Sequence, residues 1–68
     1  MKKPRLFTFI IPPISAYGSE IFNCELTSEA IAEFVEKVVQ HIKDTQSLDI
    51  HPRDVVILNI TTLEHWYV

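Results

Sequence analysis

Ser28-Glu29-Ala30-Ile31-Ala32-Glu33-Phe34-Val35-Glu36-Lys37-Val38-Val39-Gln40-His41-Ile42 is the stretch on which the fold turns. Ala30, Ile31, Phe34, Val35, Val38, Val39 and Ile42 recur at steps of three and four, which lays one broad apolar stripe along an α-helix. Thr27 or Ser28 caps the first amides, and Glu29 stands where the positive end of the helix dipole favours a carboxylate. Glu33 and Lys37 lie four apart in the favourable order. The pattern predicts a helix over residues 28 to 45, about 27 Å long at 1.5 Å per residue.

Before this helix, Leu6-Phe7-Thr8-Phe9-Ile10-Ile11 has the β-branched and aromatic composition of a strand. Phe7, Phe9 and Ile11 point one way and Leu6, Thr8 and Ile10 the other, so both faces are largely apolar. Pro12-Pro13 stops the strand, because neither residue donates a backbone hydrogen bond. Tyr17-Gly18-Ser19 reads as a turn. Glu20-Ile21-Phe22-Asn23-Cys24 is either a short strand or an extended loop, and the segment 14 to 26 is expected to be loop with some strand pairing.

After the helix, Asp44 to Arg53 form a connection in which Leu48 and Ile50 tuck under it. Val55-Val56-Ile57-Leu58-Asn59-Ile60-Thr61 is a second strand, with Val56, Leu58 and Ile60 on one side and Val55 and Ile57 on the other. Thr62 to Val68 follow as a tail. Residues 1–68 thus read as a single α/β domain: a βαβ unit with parallel strands and one amphipathic helix on a short sheet. Strands apolar on both sides belong to sheets covered on both faces, and one helix covers one face. A second copy of the chain is the expected cover for the other, so the sheet is extended and covered by oligomerisation.

Composition narrows the functional classes. With 47% apolar residues and a single glycine among 68, the chain is globular. A domain this small buries only about 60% of its unfolded surface, so association helps stabilise it. Cys24 is the one cysteine, which rules out an intrachain disulfide, and Cys24, His41, His51 and His65 have no recognised metal-ligand spacing. A net charge of −3 argues against nucleic acid as a partner, despite the basic start at Lys2, Lys3 and Arg5. Leu6 to Ile11 is too short for the apolar core of a signal peptide, and no run is long enough to span a membrane. A cytoplasmic location is the expectation, in keeping with the lone thiol.

Individual residues admit competing roles. Cys24 reads as a buried structural thiol rather than a nucleophile, and His41 as a packed or surface side chain rather than a ligand. His65 beside Trp66 suits a pocket-edge imidazole or a structural one. Asn59, the one amide in an apolar strand, serves as a pocket donor or as an edge or interface hydrogen-bonding group. Trp66 and Tyr67 either line a pocket or pack across a subunit interface.

Three stretches together resemble the tautomerase superfamily, the 4-oxalocrotonate tautomerase group of small βαβ subunits. Leu26-Thr27-Ser28-Glu29-Ala30 is similar to the family's helix opening. His51-Pro52-Arg53-Asp54-Val55-Val56-Ile57-Leu58 looks like its proline-containing turn into the second strand, and Glu64-His65-Trp66-Tyr67-Val68 like the aromatic segment after it. Leu6 to Pro13 is also similar to the first strand of some members.

The resemblance implies subunits that join strands and assemble as dimers or hexamers. It also implies proton transfer on a small enol or keto acid by an amino-terminal proline, without a cofactor. Carried over, Pro4 is the candidate base, Arg5 a substrate-binding cation and Trp66 the pocket aromatic. Lys3 precedes Pro4, so its nitrogen is an amide unless processing exposes it. The family's arginines before the helix and early in the second strand fall near Leu26 and Val56 and are absent. The expectation is therefore a tautomerase-like homo-oligomer that has lost catalysis and binds a small molecule, such as a small acid, or a partner at its subunit interface. The alternative is an active tautomerase using Pro4.

Overall fold

The computed structural model describes residues 2 to 63. Strand β1, Lys3–Ile11, leads through a short 3₁₀ turn, Pro12–Ile14, into strand β2, Ala16–Cys24. Helix α1, Ser28–Gln46, follows, and a second 3₁₀ turn, Pro52–Asp54, leads into strand β3, Val56–Thr62. The three strands form one sheet in the order β2-β1-β3, with α1 on one face.

The helix forms where its stripe predicts. Thr27 caps it, its hydroxyl oxygen accepting from the Ala30 amide at 3.1 Å. At the other end Ser47, at φ 56°, returns its amide to the Lys43 carbonyl. Ala30, Phe34, Val38 and Ile42 are buried, one per turn, while Ile31, Val35 and Val39 pack partly buried beside them. They meet Phe7, Phe9 and Ile11 from β1, Cys24 from β2 and Val55 ahead of β3.

One helix against a small sheet is as expected, but the parallel pairing of the first and last strands is not what forms. β3 runs antiparallel to β1, with Leu6 opposite Thr61 and Ile10 opposite Val56. The cause lies in residues 14 to 26, which are strand rather than loop. Pro12-Pro13 start a tight turn, and Ser15, at φ 52°, completes the reversal with its amide on the Pro12 carbonyl. The chain turns back four residues earlier than Tyr17-Gly18-Ser19 suggested, and all of Ala16–Cys24 pairs with β1. The crossover helix therefore joins β2 to β3. Each is antiparallel to β1, so the two are parallel to each other with β1 between them.

Alternation in β3 also departs from expectation. The register slips between Thr8 and Phe9: Thr8 opposes Asn59, but Phe9 opposes Ile57, leaving Leu58 as a bulge. One extra residue inverts the side on which later side chains fall. Ile60 consequently opposes Phe7 and packs against the core with Ile57, rather than sharing the face of Val56. Ile50 packs against the core as expected, whereas Leu48 is 38% exposed. No helix of the described residues is long and apolar enough to cross a membrane.

Candidate functional site

Four phenylalanines centre the inner face. Phe34 stacks on Phe7 with centroids 4.2 Å apart, and meets Phe9 at 5.7 Å and Phe22 at 5.8 Å. Phe7 and Phe22 stand edge to face at 6.1 Å. Gly18 lies opposite Phe9 in the ladder, and a Cβ there would come within 3.0 Å of the Phe9 ring tip. Glycine in this strand makes room for the ring.

Between β2 and α1 the packed rings leave part of the inner face unfilled. A groove of about 460 Å³ remains there, with an apolar floor of Phe9, Phe22, Phe34, Val38 and Ile42. Lys37 and His41 stand on its helix wall and Glu20 on its strand wall. The Lys37 ammonium sits 5.4 Å from the centroid of the Phe22 ring, a cation–π contact. A second depression of about 290 Å³, at the start of α1, is bordered by Lys2, Asn23 and Thr27 and by the carboxylates Glu25, Glu29 and Glu33.

The outer face of the sheet has a different pattern, set by the ladder register. Tyr17, Ile10 and Val56 make one row across the three strands, Ser19, Thr8 and Asn59 the next, and Ile21, Leu6 and Thr61 a third. The middle row is polar, with the Thr8 and Ser19 hydroxyls 3.4 Å apart. Asn59 donates through Nδ2 to the Thr61 hydroxyl at 3.2 Å, so this amide forms a hydrogen bond along its own strand. Tyr17 is 85% exposed, Leu58 57%, Ile21 51% and Val56 41%.

Of the residues singled out in the sequence, Pro4 lies in β1 opposite Asn23, its carbonyl accepting from the Leu63 amide at 2.9 Å. Arg5, next in the strand, points to the opposite face. Its guanidinium donates through Nε to the Cys24 carbonyl at 2.9 Å and through Nη1 to the Thr62 hydroxyl. Pro4 and Arg5 therefore do not converge, and Arg5 ties the end of β2 to the end of β3. Trp66, with His65 and Tyr67, lies outside the described residues. Cys24 is buried and His41 exposed, in line with their structural readings. Among the described residues no cluster of three or more His, Cys, Asp or Glu side chains is placed to hold a metal ion.

Sequence reasoning missed the groove. The groove depends on residues 20 to 22 pairing as strand beneath α1, and that segment read only as a short strand or an extended loop. No family model, curated protein or solved structure matches the chain.

Proposed function

We propose that the chain is a self-associating, non-catalytic domain. It resembles the small tautomerase subunits in scale and in its single covering helix, and it acts as a binding scaffold whose outer sheet face is closed by a second copy. The row pattern of that face carries this reading. Two rows with apolar members flank a polar one, so a twofold axis along β1 sets each row against its own counterpart. Tyr17 then meets Val56 of the copy, Ser19 meets Asn59, and Ile21 meets the methyl-bearing Thr61, a largely self-complementary arrangement of the kind an isologous interface requires.

The magnitude suits a weak dimer. Three strands at about 4.8 Å spacing and nine residues at about 3.3 Å give a footprint of roughly 400 Å². That is below the roughly 800 Å² per partner of a standard stable interface. A footprint of that size places the dimer at the weak, reversible end, with the sheets about 10 Å apart.

Sedimentation equilibrium from micromolar to millimolar concentration tests the association. The expected result is a reversible rise from the 7.9 kDa monomer towards twice that mass, abolished by the pair Tyr17→Lys and Val56→Lys. A mass fixed at the monomer over the whole range would overturn it. The non-catalytic element is tested separately. Pro4, acylated by Lys3, has no basic lone pair, so no ketonisation of a 2-hydroxydienoate above the uncatalysed rate is expected. Turnover abolished by Pro4→Ala would reverse that conclusion.

A further inference from the structure

We propose that the groove between β2 and α1 receives an extended peptide of another protein, which adds as a fourth strand to the free edge of β2. The peptide would place an apolar side chain against the Phe9 ring beside Gly18 and an acidic side chain against Lys37.

The edge is the first observation. Among the described residues β2 pairs on one side only, with β1, and its nine residues follow β1 without a register shift. It contains no proline, lysine or bulge, and Glu20 is its single charge. Natural sheets use those devices to keep other strands off an edge. The opposite edge, β3, does have a bulge.

The groove is the second. Ile21, whose side chain belongs to the outer face, also borders it, so the groove opens onto the edge itself. A strand added there sends alternate side chains inward, about 6.6 Å apart. About 460 Å³ lies within the usual range for pockets that bind small molecules, and it accommodates a large apolar side chain with its neighbour.

Charge selects the occupant. Lys37 lies over Phe22, is exposed, and among the described residues forms no ion pair. A peptide residue opposite Phe22 reaches that ammonium, which favours a carboxylate. The residue opposite Glu20 must not be acidic, since like charges directly across a ladder repel. The residue opposite Gly18 meets the Phe9 ring, which lies against Gly18 and belongs to the groove's apolar lining. The recognised pattern is thus apolar, neutral or basic, then acidic, at alternate positions.

The test is a titration of the isotope-labelled chain, followed by amide NMR. The probes are acetylated, amidated Thr-Phe-Thr-Thr-Thr-Asp-Thr and its reversed sequence, because either strand direction is sterically open. One of them should give saturable shifts in β2 and in Lys37, Val38 and His41. Replacing its Asp by Lys should weaken binding about tenfold, in line with the strength of charge-assisted contacts. Lys37→Glu should invert the preference between the two peptides. If that variant fails to fold, the charge swap on the peptide decides alone. N-methylation of the edge-facing peptide amides should abolish binding.

Absence of saturable shifts with both sequences overturns the proposal, as do shifts confined to the outer face. Equal binding of the N-methylated peptide also overturns it, since side chains would then lodge without a strand. So do β2 shifts that follow protein concentration without peptide, which would assign the edge to a second copy. Outer-face self-association is read at Tyr17 and Val56, so its failure is distinguishable from failure here.

Discussion

Gly18 is the residue on which the inner face depends most. The glycine lies in a strand, where it forfeits packing and conformational entropy, because Phe9 needs the space that its side chain would fill. Gly18→Val improves strand propensity but drives two methyls into a ring that is only 8% exposed. Overpacking should dominate and destabilise the domain by about 1–3 kcal/mol, measured by urea denaturation. A neutral or stabilising change would mean that the ring has room to move. Phe34 is the converse case, 3% exposed and in contact with three other rings. Removing its ring by Phe34→Ala should cost about 3–5 kcal/mol. That rivals the whole stability of a domain this size, at roughly 0.05–0.15 kcal/mol per residue. Loss of the cooperative thermal transition in circular dichroism is the expected result.

Among the elements, α1 is the most self-sufficient and β3 the most dependent on its surroundings. The α1 stripe, its Thr27 cap and its left-handed Ser47 terminus are all local features. Thr27→Ala should therefore remove about 1 kcal/mol by orphaning the Ala30 amide, while Thr27→Ser should be close to neutral in the same melt. β3 owes its facing to the Leu58 bulge. Deleting Leu58 would join Ile57 to Asn59 in simple alternation and leave Ile57 and Ile60 on the core side. That deletion should fold, whereas deleting Thr8 from central β1 should not, because it would turn the residues on one side of the cut to the opposite face. A folded Thr8 deletion, judged by amide dispersion in NMR, would contradict this account of register.

For the molecule as a whole, stability and association are coupled, because a dimer that forms only from folded chains stabilises the fold by mass action. The midpoint of thermal unfolding should rise with protein concentration. In the Tyr17→Lys, Val56→Lys pair it should be independent of concentration, since the altered side chains are exposed and remote from the phenylalanine cluster. A midpoint that rises equally in both would place the interface elsewhere.

Much of the fold was legible in the residues because the relevant forces are local or periodic. The spacing of Phe34, Val38 and Ile42 defined the helix and its apolar stripe, alternation grouped Phe7, Phe9 and Ile11 on one side of β1, and Pro12-Pro13 marked where that strand stops. That this side of β1 is the buried one came from the fold. Strand pairing is a different kind of property. Ala16–Cys24 is a poor strand by composition, and it becomes one through the ladder that β1 offers once Ser15 reverses the chain. That hairpin occupies one side of β1 and leaves the other for β3, which arrives antiparallel. The bulge, the groove beneath α1 and the rows of the outer face are all consequences of register between distant segments. Register is set by the summed fit of the paired strands, a sum no single stretch contains, so it emerged only when the strands were brought together.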